Sequence, residues 1–219
     1  MKKLIIITSL ALMLAGCSFL FIDKNNIMDY LPDVKEGQIY EYKMTTEIVA
    51  TTFADSTTGY VTDTTITIED FSDTCTDVEE DTDKSYYEFK TETGRVYWVF
   101  LKDRGILAIS NGDYDYDDGI DMIILKTPVD VETDWNVEYE DYTVKGEIKD
   151  MNQEYENSEV KVNDVIHSKM IYTIDSLDYI TDYYYSPEKG IVKYVINTPA
   201  DGGDYTKVTV ELKRVKEED

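Results

Sequence analysis

Val208, Val210 and Leu212 point one way while Lys207, Thr209, Glu211 and Lys213 point the other, and this alternation constrains the fold more than any other feature. A period of two suits a half-buried strand. It cannot seat an amphipathic helix, whose apolar face recurs every three or four residues. Residues 64–68 alternate likewise, with Ile66 and Ile68 on one face. Thr, Tyr, Val and Ile, which fit a pleated surface, dominate 86–89, 96–101, 183–185 and 191–196. Thr93-Gly94, Asn111-Gly112, Pro187 and Asp201-Gly202-Gly203 punctuate these runs as turns. Few stretches keep helical periodicity for ten residues, and 151–159 reads as a short helix or a long turn. The predicted fold is all-β and antiparallel, about a dozen strands in a curved sheet or half-barrel.

Charge narrows the partners. Lys plus Arg number 21 against 46 Asp plus Glu, a formal charge of −25 over 219 residues. That surplus excludes binding of nucleic acid through a basic face. A hydrophobic content of 42% with 12% aromatics is too high for a disordered acidic tail, so a packed core is expected.

The N-terminus sets the compartment. Lys2 and Lys3 precede an apolar run over 4–14, which ends in Leu14-Ala15-Gly16-Cys17. The run is too short for a permanent membrane span and fits an export signal with a small-residue cleavage site. The tetrapeptide closely resembles the bacterial lipobox, which implies a signal peptide over 1–16 and a diacylglyceryl membrane anchor on Cys17. Cleavage removes two of the 21 basic residues and none of the 46 acidic ones, so the charge moves from −25 to −27. With Cys17 consumed, Cys75 has no intramolecular disulfide partner. Its acidic neighbours, Asp73, Asp77, Glu79, Glu80 and Asp81, disfavour a thiolate. The expected organisation continues with a tether over 17–30, a β-rich domain over 31–215 and a charged tail over 216–219.

A shift of 85 places residues 85–126 on 170–211 without a gap, setting Gly105-Ile106 on Gly190-Ile191 and Trp98 on Tyr183. Exact identities are few, while chemical classes agree better. The domain reads either as two similar halves, 31–125 and 126–215, or as two stretches sharing the same strand-and-turn grammar.

Tyr30-Leu31-Pro32 with Lys35-Glu36-Gly37 and Tyr40 resembles the opening of a group of uncharacterised bacterial lipoproteins. Leu125-Lys126-Thr127-Pro128-Val129 with Trp135 is similar to that group's second such segment. Tyr183-Tyr184-Tyr185, followed by Gly190-Ile191-Val192-Lys193, is similar to its aromatic-run signature. The chain departs from the group at Glu188-Lys189, and at Glu132, where the group usually has Gly. The resemblance implies a β-rich extracytoplasmic domain and transfers no catalytic residues. Independently of it, Gly105 and Gly190 suit tight turns or bulges at positive φ.

Three sets of residues suggest chemistry. Asp113, Asp115 and Asp117, with Asp121, resemble a loose Ca2+ loop, although Asp118 and Ile124 break the EF-hand pattern. The plain alternative is a solvated acidic turn. Trp98, Trp135, Tyr183, Tyr184 and Tyr185 form either a ligand platform or ordinary sheet packing. His167 is the only His, so Ser-His-Asp and zinc arrangements lack partners, and no single pair of the 46 acids stands out for glycoside hydrolysis. The expected function is therefore that of a lipid-anchored, extracytoplasmic, non-enzymatic β-domain with no organic cofactor. It would bind an envelope protein, a lipid or another hydrophobic ligand, or a glycan. The alternatives are a structural or calcium-stabilised interaction module and a carboxylate-based hydrolase.

Overall fold

The computed structural model describes residues 26–55, 59–111, 122–138, 142–200 and 204–217. Cys17 and the acidic set Asp113, Asp115, Asp117 and Asp121 lie outside the described residues. Among the described residues, twelve antiparallel strands make one sheet: β1 (Gln38–Asp55), β2 (Gly59–Glu80), β3 (Lys84–Lys90), β4 (Arg95–Leu101), β5 (Ile106–Asn111), β6 (Met122–Lys126), β7 (Asp134–Glu138), β8 (Thr143–Glu156), β9 (Lys161–Ile174), β10 (Leu177–Ser186), β11 (Gly190–Pro199) and β12 (Tyr205–Glu217). Residues 151–156, read as a helix or turn, belong instead to β8. Asn152 takes φ 61°, and the β8–β9 register shifts around it, so a bulge interrupts the pattern there.

The strand order is β6-β5-β4-β3-β2-β1-β12-β11-β10-β9-β8-β7, two six-strand meanders joined where β1 pairs with β12. That junction runs from Gln38 opposite Glu217 to Val49 opposite Tyr205. The sheet curls into a nearly closed barrel whose unsealed seam lies between β6 and β7. Shifting by 85 carries β4 into β10, β5 into β11 and β6 into β12, matching the sequence correspondence strand for strand.

Closure follows from the alternation. Tyr40, Tyr87, Phe89, Trp98, Phe100, Tyr183, Tyr185, Val210 and Leu212 all fall on the inner face and share one core. Aromatic rings dominate because a barrel of this girth leaves more interior than aliphatic side chains fill, and each buried ring contributes about 2–3 kcal/mol. At β4 the outer face is also covered, with Tyr97, Val99, Leu101 and Ile106 forming a second cluster.

The segment expected to end the tether is part of this core. Ile27–Tyr30 form a 3-10 turn capped by Asn26, whose side chain accepts from the Met28 N–H. Ile27 and Val34 are buried. The Tyr185 hydroxyl donates to the Tyr30 carbonyl, and the Tyr87 hydroxyl donates to Glu80 Oε1 at 3.2 Å. This segment plugs the barrel end where β3 begins and where β4 and β10 finish.

Candidate functional site

At the opposite end the barrel is open. The same strands that close on the plug through Tyr87, Phe100 and Tyr185 present Phe89, Val96, Trp98 and Tyr183 to a cavity of about 240 Å³. Tyr42, Phe71 and Asp73 from β1 and β2 complete its wall, together with Tyr194 from β11. Phe71, Asp73, Val96 and Tyr194 also border an adjoining groove of about 360 Å³, whose outer rim carries Glu69, Asp70 and Glu92.

Each ring is held by its neighbours. Trp98 forms the floor, with its ring centroid 4.3 Å from that of Phe89 and 6.0 Å from that of Tyr40, edge-on. Tyr42 stacks on Phe71 at 5.3 Å. The Tyr183 hydroxyl donates to Met122 Sδ at 2.9 Å, bridging from β10 to β6 across the interior. The walls are therefore set before any ligand arrives.

Among the described residues, Asp73 is the one charged group lining this cavity. Its Oδ1 is buried and has no hydrogen-bond partner. Burial first, and then the charge of Glu92, push its carboxyl up to about 6. Burial followed by the Asp73 charge pushes the Tyr194 phenol up to about 12. Asp73 sits on the inner face because it lies directly across the ladder from Tyr40. In the sequence it is one acid among many, distinguished only by this inward parity.

The five aromatics read as a platform do not share one surface. Trp98 and Tyr183 line the cavity. Tyr185 lies deeper, against the plug, while Tyr184 points outward by strand alternation and stacks on His167 at 4.6 Å. Trp135 covers Gly146 near the seam, where a Cβ on Gly146 would stand 2.0 Å from the indole. The cavity is completed by Tyr42, Phe71, Phe89 and Tyr194, which sequence reasoning missed because they are scattered over four strands. His167 is satisfied by Asp182, with Nε2 2.8 Å from Oδ1. Cys75 is fully buried and its thiol is pushed up to about 11, by burial before any acidic neighbour. Among the described residues no group of three His, Cys, Asp or Glu is arranged to hold a metal ion.

Residues 1–18 match the prokaryotic membrane lipoprotein lipid attachment site, so the chain is a lipoprotein held to a membrane through a lipid-modified Cys. Two solved structures resemble the chain, each covering 85% of it and 98% of its own length. One, from Bacteroides fragilis NCTC 9343, is described as an exported protein with a YmcC-like fold, at 13% identity and a TM-score of 0.43. The other, from Parabacteroides distasonis ATCC 8503, is described as a lipoprotein, at 11% identity and a TM-score of 0.37. No curated protein matches.

Proposed function

We propose that this lipoprotein is an extracytoplasmic binding protein that holds a small amphipathic molecule in the open end of its barrel. The observation that carries this reading is the cavity walled by Tyr42, Phe71, Phe89, Trp98, Tyr183 and Tyr194, with the Asp73 carboxylate set among the rings. Small-molecule sites are concave, mostly apolar, and fixed by a few convergent polar groups. The anchor supports an orientation. Eight residues lie between Cys17 and Asn26, nine steps along the chain with a reach of about 30 Å, and the chain then enters the body at the plugged end. The open end therefore faces away from the anchoring membrane. Binding without catalysis is favoured because the described residues of the cavity wall offer one carboxylate and no nucleophile beside a base.

Calorimetric titration of the lipidated protein in phosphatidylglycerol nanodiscs tests the reading. The probe is 2-naphthol, a neutral aromatic, and empty discs are the blank. Saturable binding at one equivalent is expected, weakened at least about tenfold by Ile196→Phe, which fills the cavity wall. Heat equal to the blank, or binding indifferent to that substitution, contradicts it.

A carboxylate-based hydrolase is the second reading, favoured by Asp73 and Glu92 bordering one groove, with the Asp73 carboxyl held near 6. It requires release of nitrophenol from nitrophenyl glycosides that disappears in Asp73→Asn. No release by the unaltered protein dismisses it.

A further inference from the structure

We propose that the group held in this cavity is an organic ammonium ion, seated among the rings and against the Asp73 carboxylate. The inference rests on the reading of the cavity as a ligand site and adds the ligand's charge.

Four observations converge. The first is Asp73 itself, whose Oδ1 is buried without a hydrogen-bond partner. A carboxylate left so is costly unless a cation or donor meets it, and among the described residues nothing does. The second is the sign of the surroundings. Among the described residues, neither the cavity nor its groove is lined by Lys, Arg or His, while Asp73, Glu69, Asp70 and Glu92 are all acidic. Lys213 pairs with Asp70 at 2.9 Å and so offsets one of these charges, leaving the others to draw cations inward. The third is the wall, whose six aromatic rings attract a cation through their quadrupoles, most strongly where water is excluded. The fourth is discrimination. A neutral molecule offers Asp73 at most a hydrogen bond, a cation answers its charge as well, and an anion is repelled by it.

Among the described residues, the groups facing Asp73 are Tyr40 and Tyr42 from β1, Tyr194 from β11 and Glu92 from the β3–β4 turn. None of them is a cation. Protonation of Asp73 therefore removes the only charge that the described residues place in the cavity wall, and ammonium affinity falls as the pH is lowered.

Ammonium groups reach such a site as free organic cations or as lipid headgroups, in which a phosphate accompanies the nitrogen. Choline, its neutral isostere 3,3-dimethylbutan-1-ol, and phosphocholine separate these cases. Each is titrated into the lipidated protein in phosphatidylglycerol nanodiscs, with empty discs as the blank. Choline is expected to bind at least about tenfold more tightly than the isostere. Asp73→Asn should abolish that preference, and the preference should weaken between about pH 7.5 and about pH 5. Phosphocholine binding as tightly as choline supports the ammonium and assigns it to a headgroup; weaker binding supports it as a free cation. Equal binding of choline and the isostere, or full choline binding by Asp73→Asn, overturns the ammonium while leaving an apolar ligand in place. Binding of 2-naphthol without choline overturns it in the same way. Failure of every probe overturns both readings.

Discussion

The six-membered ring of Trp98 occupies the space a side chain at position 190 would need. A Cβ built on Gly190 stands 2.1 Å from Trp98 Cζ3, and Gly190 takes φ +76°. Glycine is thus required twice, for the left-handed backbone of the β10–β11 turn and for the floor of the cavity. Gly190→Ala should cost at least about 3 kcal/mol and weaken ligand binding, because the backbone is strained and Trp98 is displaced. Gly37→Ala is the control. Gly37 has φ +85° with nothing within 4 Å of the added Cβ, so only about 1 kcal/mol is expected. Urea denaturation of the two variants separates overpacking from backbone strain.

Glu132 shows the converse. It holds φ +73° without being glycine, at the position where the lipoproteins this sequence resembles usually carry one. Glu132→Gly should be neutral or stabilising by up to about 1 kcal/mol, since relief of the left-handed strain offsets the added freedom of the unfolded chain. A loss of stability in denaturant melts would contradict this.

The plug depends on specific contacts. Tyr185→Phe removes the donor to the Tyr30 carbonyl and should cost about 1–2 kcal/mol. Ile27→Ala empties a fully buried site and should cost about 2–4 kcal/mol. Both variants should retain 2-naphthol binding under native conditions, because the cavity lies at the other end of the barrel. Thermal melts and titrations on the same samples check the pair.

Two carboxylates impose opposite pH dependences. The Asp73 carboxyl is raised to about 6, so the native state keeps a proton that the unfolded state has already lost, and stability falls as pH rises from about 4 to 6. Asp73→Asn should therefore stabilise the protein at neutral pH by about 1 kcal/mol, discounted for solvent at the carboxylate, with the gain shrinking toward pH 4. The Glu41 carboxyl is lowered to about 2 by hydrogen bonds from Arg214 and Lys216, which tie β1 to β12. Its contribution is complete above about 4.5 and is lost as pH falls toward 2. Glu41→Gln should cost at most about 1 kcal/mol at neutral pH and nothing in strong acid. Urea midpoints measured across the acid range would test both signs.

Most of the architecture was legible in the residues. Alternation at Val208, Val210 and Leu212 predicted the inner face of β12, and Gly105 and Gly190 predicted turns that indeed take φ +60° and +76°. Local pattern failed where tertiary context decides. Ile66 and Ile68 share a face as expected, yet they are 61% and 59% exposed, because the β1–β2 hairpin runs on past the barrel body. Ile27 falls within the expected tether because a single turn carries no periodicity, and only the ring of strands around it supplies a core. The cavity was legible only in part. Trp98 and Tyr183 stood out as aromatics, whereas the inward parity of Asp73 depends on a register with Tyr40 that alternation in one strand does not reveal.

Methionine methyl groups report the central claim most directly. Met122 and Met44 line the cavity and its groove, while Met28 lies by the plug and Met151 on β8. With methyl-labelled methionine in the lipidated protein, 2-naphthol should shift the Met122 and Met44 resonances together and saturate at one equivalent, leaving Met28 and Met151 in place. Shifts confined to Met28 and Met151, or none at any methionine, would contradict a ligand site in the open end of the barrel.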